Sequence, residues 1–436
     1  MITEDKNLFK YELAVVAILK NEAPYIKEWI DYHLLAGVDH FYIYDNESED
    51  NLKEVLQPYI DDDIVDYKLV SGKCAQMLVY NLAVQDYKFF CRYMAFIDAD
   101  EFIYPLKNVI IKDVLKDCLS KNTNAVGLAI NWRIFGSSKH EFADLNKGVL
   151  ERFLYRVSDE FDVENNAGNA HIKTIANPRC ISLFFTPHFC IYFNKKFAVN
   201  ENGKIVSSYF NVPVSHEEIV INHYHLKSKE EYEKKVKRGN ADLIDNHYKM
   251  GNFYKTEKES NIYDDGILTY REARKKVLNE SRGRGIILET PQQINRRRLN
   301  TLIKILSPLT IPANLSMEAP SNLFSNKLHI FLTCLNVSSD LKGTGLTEDD
   351  IKYFEELSLK CIEKSLSSDS IEIWQIQLLI DELPKIWTYQ YPVVNKIKES
   401  IKKIIPQIMN IRRMNNDWNN YKQLNYLLKI FKMLND

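Results

Sequence analysis

Three carboxylates, Asp98, Asp100 and Glu101, stand at the end of an apolar run, Tyr93-Met94-Ala95-Phe96-Ile97. Hard anionic oxygens at D-x-D spacing suit Mg2+ or Mn2+, which keep open positions for the oxygens of a diphosphate. A solvated turn can contain the same three letters. The preceding apolar run separates the two readings, because it predicts a strand buried on both faces of a sheet. The carboxylates then lie at the strand's C-terminal edge, where open α/β sheets bind ligands.

Two further strand ends carry polar clusters. Leu13–Leu19 is an apolar run that ends at Lys20-Asn21-Glu22, and His40–Tyr44 ends at Asp45-Asn46. Asn21, Glu22, Asp45 and Asn46 can converge with Asp98 and Asp100 on one crevice, the second-strand pair facing the ribose or base of a nucleotide. Alternatively, Asn21 and Asp45 cap the helices that follow. Farther on, His223 and His225 occupy alternate positions in Asn222-His223-Tyr224-His225. Alternation along a strand turns both to one face, and a neutral imidazole is a good Mn2+ ligand beside carboxylates. Gly136-Ser137-Ser138, after Trp132, can set backbone donors against a polar ligand or form a simple tight turn. His171, Lys173 and His188 are candidate acceptor or phosphate contacts, or else ordinary surface or core residues.

The elements that must position these groups follow a regular order. A helix through Ile26, Trp29, Ile30 and Leu34 follows the first strand, with Pro24 suited to its first turn and Gly37 to its end. A helix through Leu52, Val55 and Leu56, stopped near Pro58, follows the second. Ile64–Val70 is a third strand, and a helix over about 75–90 leads to the Asp98 strand. This β-α-β-α-β-α-β order predicts the nucleotide-binding half of a doubly wound sheet. The G-x-G-x-x-G turn of a dinucleotide site is missing from it. After Pro105 the alternation gives way to short strands, over 125–135, 151–156, 171–176, 181–185, 189–193, 204–209 and 219–224. Residues 164–169 form a polar loop that is either surface or a substrate lid. A charged helix covers 228–237.

From about Gly251 the chain is rich in Lys, Glu and Arg. Arg282, Arg284 and Arg296-Arg297-Arg298 read as a solvated helix face or as a basic stretch that docks on an anionic membrane surface or a charged acceptor. Beyond 307 the pattern is helical. Thr347 and Asp350 are spaced like a capping box, and helices are expected over 371–383, 392–413 and 418–434. The division expected is 1–250, a catalytic α/β domain; 251–306, a basic helical connector; and 307–436, a helical bundle.

Composition narrows the class. A chain of 436 residues that is 45% hydrophobic can bury a core of one large or two ordinary domains. A formal net charge of -2 gives no field that would select nucleic acid as a partner. Seven cysteines without a C-x-x-C pair read as reduced thiols rather than a disulfide frame or zinc site. No apolar run approaches the roughly 18 residues of a membrane span. The start of the chain lacks the apolar core of a signal peptide, so a soluble, cytoplasmic protein is expected, with peripheral contact to the inner face of a membrane through Arg282–Arg298 as a further expectation.

Taken together, Val16–Glu22, Glu28–His33, Gly37–Asn46 and Phe96–Phe102, followed by Trp132–Ser138 and Ile221–Ser228, resemble glycosyltransferases of family 92 and the related bacterial family-2-like enzymes. The resemblance covers roughly 10–240. It implies a GT-A fold, a Rossmann-like mixed sheet flanked by helices, here followed by an all-α C-terminal region. It implies a nucleotide-sugar donor, UDP-sugar favoured, with Mn2+ or Mg2+ as cofactor, and inversion at the anomeric carbon. The acceptor would be a glycan or lipid-linked glycan, as in bacterial surface polysaccharide synthesis. Carried over by position, Asp98 and Asp100 are the metal pair and His223 is preferred to His225 as a ligand. Asn21 and Asp45 line the nucleotide pocket, and Gln76 and Asn81 face the donor. Glu101 is the candidate base, although strand alternation would turn it from the Asp98/Asp100 face. Two other readings stand beside this one: a binding or scaffold protein that keeps the fold without catalysis, and an aspartyl phosphatase. The second is opposed by Glu101-Phe102, where that family wants a small β-branched residue.

Overall fold

A computed structural model describes residues 6–193, 195–239, 249–283, 289–306, 327–342, 346–366 and 373–414. The chain forms two compact units. One spans Tyr11–Leu288; the other joins Thr3–Lys10 to Glu289–Asp436.

The first unit begins β1 (Tyr11–Leu19), α1 (Ala23–Leu35), β2 (His40–Asp45), α2 (Leu52–Asp61), β3 (Val65–Leu69), α3 (Gln76–Tyr87) and β4 (Cys91–Phe96). These four strands are parallel and ordered β3-β2-β1-β4, the doubly wound half that the alternation predicts. Strand β1 shows why it sits at the centre. Leu13, Val15, Ala17 and Leu19 enter one hydrophobic core, and Ala14, Val16 and Ile18 enter another on the opposite face. A continuous apolar run is what such two-sided burial requires.

Beyond β4 come β5 (Glu101–Pro105), α4 (Ile111–Ser120), β6 (Ala125–Ile134), α5 (Val149–Arg152), β7 (Tyr155–Arg156) and β8 (Ile172–Ala176). Then follow β9 (Ile181–Phe184), β10 (Cys190–Tyr192), β11 (Phe197–Val199), β12 (Ile205–Val206) and β13 (Ile219–His223). Strand β8 lies antiparallel between β4 and β6, which continues the sheet and makes it mixed. Strand β13 pairs in parallel with β6 and antiparallel with β5. The unit closes with α6 (Lys229–Arg238), α7 (Met250–Glu259), β14 (Ile262–Tyr263) and α8 (Gly266–Gly283). The mixed α/β class is therefore as expected.

Local expectations differ at several places; helix α4 and strand β11 are not among the expected elements. Strand β5 is absent from the sequence reading, because its first residue is a carboxylate. Residues 151–156 are expected as a strand, yet 149–152 form a helical turn. Glu28 imposes it, its carboxylate accepting the Val149 N–H at 2.5 Å. Helix α2 continues three residues past Pro58, and the strand expected over 204–209 contracts to Ile205–Val206.

Among the described residues the second unit is helical: α9 (Pro291–Leu306), α10 (Leu328–Asp340), α11 (Glu348–Leu366), α12 (Ile373–Ile386) and α13 (Pro392–Met414), with a 3-10 turn at Lys6–Leu8. Thr347 and Asp350 exchange hydrogen bonds as a capping box should. Helix α12 runs on through Pro384 to Ile386. The helix expected over 418–434 lies outside the described residues. The membrane-facing reading of the arginines fails at two of them. Arg298 is fully buried, pairs with Asp340 and donates to the Leu8 carbonyl, while Arg297 is held by Glu289 and the Asn7 carbonyl. Both cations are spent inside their own unit. Arg284 lies outside the described residues, as does the side chain of Arg282. Among the described residues no helix is long and apolar enough to cross a membrane. All seven cysteines are free thiols.

Candidate active site

The C-terminal ends of β1, β2 and β4 open onto a cavity of about 900 Å³ in the first unit. Asp98 and Asp100 form part of its floor. Glu22 comes from the end of β1, Asn46 from β2, and Gln76 from the first turn of α3. Trp132 on β6 and the imidazoles of His171, His188, His223 and His225 make an aromatic wall. Trp132 stacks on His171, with ring centroids 4.9 Å apart, and tilts over His223 at 4.2 Å.

Each carboxylate of the pair has a lysine. Asp98 accepts from Lys173 Nζ at 2.8 Å and from Gln76 Nε2, also at 2.8 Å. Asp100 accepts from Lys235 Nζ at 2.6 Å, and its other oxygen lies 3.5 Å from His223 Nε2. Burial works against the Asp100 anion, but Lys235 and His223 outweigh it and hold the carboxyl well below the usual range. Burial lowers the His223 pKa against the pull of Asp100, which favours the neutral ring, the form that ligates metals. His225 is driven well below its ordinary value by burial and by His223. The ring atoms Nδ1 of both histidines are buried without a hydrogen-bond partner.

Glu101 does not reach the cavity. Its side chain is wholly buried, and one carboxylate oxygen accepts the Asp98 N–H at 2.9 Å and lies 3.5 Å from Lys173. Burial pushes this carboxyl well above the ordinary carboxylate range. Its geometry supports the D-x-D backbone and leaves it sealed from any acceptor hydroxyl, which corrects the expectation of a base. Lys173 is sealed with it, and although burial opposes the ammonium, Asp98 at 2.8 Å outweighs it and holds it charged.

Several other predicted residues are supports. Asn21, at φ 58°, accepts the Glu49 N–H at 2.7 Å, and Asp45 accepts from Ser48 N–H and the Tyr67 hydroxyl. They brace the 45–50 turn rather than cap α1 and α2 or line the cavity. Asn46, beside them, does line it, anchored by the carbonyls of Val70 and Gly72. Asn81 clamps β9 through both its amide groups to the Phe184 backbone. The Gly136–Ser138 loop also turns its donors elsewhere. Ser137 N–H goes to Glu257 at 2.7 Å, and Ser138 Oγ accepts from Leu154 and Tyr155. A glycine is required there because a Cβ at Gly136 would lie 2.5 Å from the Ser260 side chain. These residues fail as ligand contacts because partners distant in sequence have already satisfied them.

The sequence reading missed the opposite, basic wall. Lys235 and Arg238 come from the last turn of α6, Lys255 from α7, and Lys20 and Lys73 from loops. Arg238 donates to Glu22 at 2.8 Å, and Lys227 reaches the same carboxylate at 3.2 Å. Helix α6 is fixed at its other end: Ser228 and Glu231 form a capping box, and Glu231 takes both Arg152 guanidinium nitrogens at 2.9 and 3.0 Å. The S-x-x-E spacing of Ser228 and Glu231 was the available signal for the helix, although nothing local shows which of its lysines faces the cavity. Asp162, also on the cavity, arrives on the 158–170 loop and pairs with Lys255.

The donor set meets a divalent ion only in part as it stands. Among the described residues no group of three His, Cys, Asp or Glu side chains is gathered as a finished metal site. Asp100 and neutral His223 nevertheless converge, and Asp98 is one-third exposed to the same cavity. One or two carboxylates completed by phosphate oxygens is how Mg2+-type sites at nucleotides are commonly built. The residues therefore fit such an ion arriving with a diphosphate.

The family model for glycosyltransferase family 92 matches residues 15–280. The chain belongs to that family. A family 92 protein of Ricinus communis, RCOM_0530710, is 28% identical over 129 residues, which cover 29% of this chain and 23% of that protein. The Arabidopsis thaliana protein At1g27200 is 31% identical over 126 residues, 28% of this chain and 22% of its own length. The chain thus spans about a quarter of the length of these relatives. The solved structure of S. aureus TarS 1-349 in complex with UDP-GlcNAc aligns over 82% of this chain and 91% of its own, at 11% identity and a TM-score of 0.30, too distant to argue from.

Proposed function

We propose that the Tyr11–Leu288 unit is a metal-dependent glycosyltransferase that moves a sugar from a nucleotide-sugar donor to a hydroxyl of a glycan or lipid-linked glycan. One observation carries the reading: in a family 92 chain, Asp100 lies 3.5 Å from the His223 imidazole, with Asp98 on the same cavity, at the C-terminal edge of a doubly wound sheet, and the cavity is large enough for a nucleotide-sugar. Asp98, Asp100 and His223 would hold Mn2+ or Mg2+, with His225 behind His223. A divalent ion bound there would offset the charge that builds on the departing diphosphate. The remaining work falls to the chain's own groups. Asn46 and Gln76 border the side at β2 and α3, where the nucleoside is proposed to lie. Trp132 and the His171/His188 wall present flat faces suited to a sugar ring. Inversion, a UDP-sugar as donor and a surface-polysaccharide acceptor complete the proposal on the strength of family resemblance.

The test is calorimetric titration of UDP, GDP and CMP with and without Mn2+, followed by turnover of the matching nucleotide-sugar. Binding of one nucleotide that depends on Mn2+ supports the reading. Folded protein that binds none of them refutes it. A non-catalytic binding protein is favoured by one feature, the lysine already seated on each carboxylate. Nucleotide binding without donor turnover would select that alternative.

A further inference from the structure

With Glu101 sealed away, the proton of an acceptor hydroxyl needs another carboxylate. Among the described residues, five carboxylates line the cavity: Glu22, Glu47, Asp98, Asp100 and Asp162. Asp98 and Asp100 are the metal pair of the reading above. Glu22 is held by Arg238 at 2.8 Å and by Lys227 at 3.2 Å. Glu47 follows Asn46 past the end of β2, on the side proposed for the nucleoside. Asp162 is the one of the five that comes from the loop between β7 and β8.

That loop is firmly built. Asn169 is fully buried, donates to the Ser158 carbonyl at 2.8 Å and accepts the Ile134 N–H at 3.0 Å, which ties the loop to β6. Asp162 has a left-handed backbone, φ 56°, and its carbonyl accepts the Asn165 and Ala167 N–H groups, both at 3.1 Å. A non-glycine residue keeps such a conformation only where its surroundings hold it. Gly168 packs directly against it, because a Cβ at Gly168 would lie 2.8 Å from the Asp162 Cβ. From there the contacts lead step by step to the metal pair. The Gly168 carbonyl is 3.2 Å from His171 Nδ1, His171 stacks on Trp132 at 4.9 Å, Trp132 tilts over His223 at 4.2 Å, and His223 Nε2 lies 3.5 Å from Asp100. Asp162 and Asp100 thus stand at the two ends of one aromatic wall. Lys255 pairs with Asp162 Oδ2, and Asn165 Nδ2 donates to Oδ1 at 3.3 Å, so lone pairs remain on both oxygens.

We propose that Asp162 is the general base of the transfer. A sugar on the Trp132 face, with its diphosphate at the Asp98/Asp100 end, turns the other face of its anomeric carbon toward the His171 end, where Asp162 stands. There the acceptor oxygen bonds to the anomeric carbon and its proton passes to the Asp162 carboxylate. The bond from that carbon to the diphosphate oxygen breaks, and its electron pair leaves with the diphosphate. This inference rests on the inverting glycosyltransferase reading above and adds the group that takes the proton.

The test uses the full chain with Mn2+ and, as donors, UDP-glucose, UDP-galactose, UDP-N-acetylglucosamine and GDP-mannose. Release of UDP or GDP is followed in water and in sodium azide. Water must give up a proton to react, whereas azide attacks as an anion and needs no base. Asp162→Asn, Asp162→Ala and Asp162→Glu are compared with wild type, with the exposed loop neighbour Glu160→Gln as control, and circular dichroism melting establishes that each is folded. Asp162→Asn and Asp162→Ala should lose at least about 100-fold of the turnover in water, keep the nucleotide Kd within about twofold, and regain about tenfold or more when azide is added. Asp162→Glu, which keeps a carboxylate, should retain more turnover than either, and the control should match wild type. Turnover in water within about threefold of wild type in Asp162→Asn or Asp162→Ala overturns the base. So does lost turnover that azide does not restore, or a weakened nucleotide Kd, because a merely structural role would give either. In wild type itself, a glycosyl azide of retained configuration overturns the base without any variant. Folded wild type that releases nucleotide from none of the donors overturns the glycosyltransferase reading and this inference together.

Discussion

Replacing Glu231 by Gln should cost the first unit about 3 kcal/mol at neutral pH, and most of that cost should vanish in acid. The carboxylate accepts both Arg152 nitrogens, the Ser228 N–H at 2.8 Å and the Tyr25 hydroxyl at 2.7 Å. Burial disfavours the anion, yet Arg152, Ser228 and Tyr25 outweigh it and bring the pKa down to about 2 from 4.5. Each unit of lowering is about 1.4 kcal/mol of preference for the anion in the folded state, so the 2.5-unit difference gives about 3 kcal/mol. An independent route gives a similar figure, since breaking one side of a buried ion pair costs about 3–5 kcal/mol. The folded pKa lies below the unfolded one. The stabilisation is therefore complete above about pH 4.5 and is lost as pH falls toward 2. Urea titrations of wild type and Glu231→Gln at several pH values between 7 and 2 measure it. The gap between them should be about 3 kcal/mol at pH 7 and under about 1 kcal/mol at pH 2. A gap that stays constant with pH, or one below about 1 kcal/mol at pH 7, would refute the claim that this charged network anchors α6.

Three other outcomes are expected. Asp98→Asn and Asp100→Asn should each reduce donor turnover at least about 100-fold and abolish Mn2+-dependent nucleotide binding, while circular dichroism remains that of wild type; full turnover in either would sink the assignment. Glu101→Gln should keep turnover within about threefold, because the carboxyl is sealed from the cavity. Its folded pKa lies above the unfolded 4.5, so wild type loses stability as pH rises above that value and the variant does not, which paired melts between pH 4 and 9 would reveal. Gly136→Ala should cost about 1–3 kcal/mol through collision with Ser260, with nucleotide affinity unchanged; a weakened nucleotide Kd in a stable variant would restore the loop as a ligand contact.

Much of the nucleotide half was legible because its signals are local. Continuous apolar runs such as Leu13–Leu19 can be satisfied only by burial on both sheet faces, and polar residues at their ends mark the ligand edge. The positions of Asp98 and Asp100 after β4 and of His223 at the end of β13 follow from that grammar, whereas His225, expected on the same strand, lies two residues past its end and reaches the cavity from the loop. What local grammar cannot do is choose among chemically identical groups. Asn21, Asp45, Ser137 and Ser138 look like ligand contacts, but Glu49, Tyr67, Glu257 and Leu154 respectively take their hydrogen-bonding capacity. Arg298 reads as a surface cation and is buried against Asp340. Lys235 reads as one charge in a solvated helix, yet it lies on Asp100, 135 residues away. The sequence by itself determined which strands of the nucleotide-binding half form and which of their edges carry carboxylates, because burial and periodicity act between near neighbours. Only the tertiary structure decided which of those groups remain available to a ligand, because a charge or a hydrogen bond is claimed by whatever the fold brings within about 3 Å.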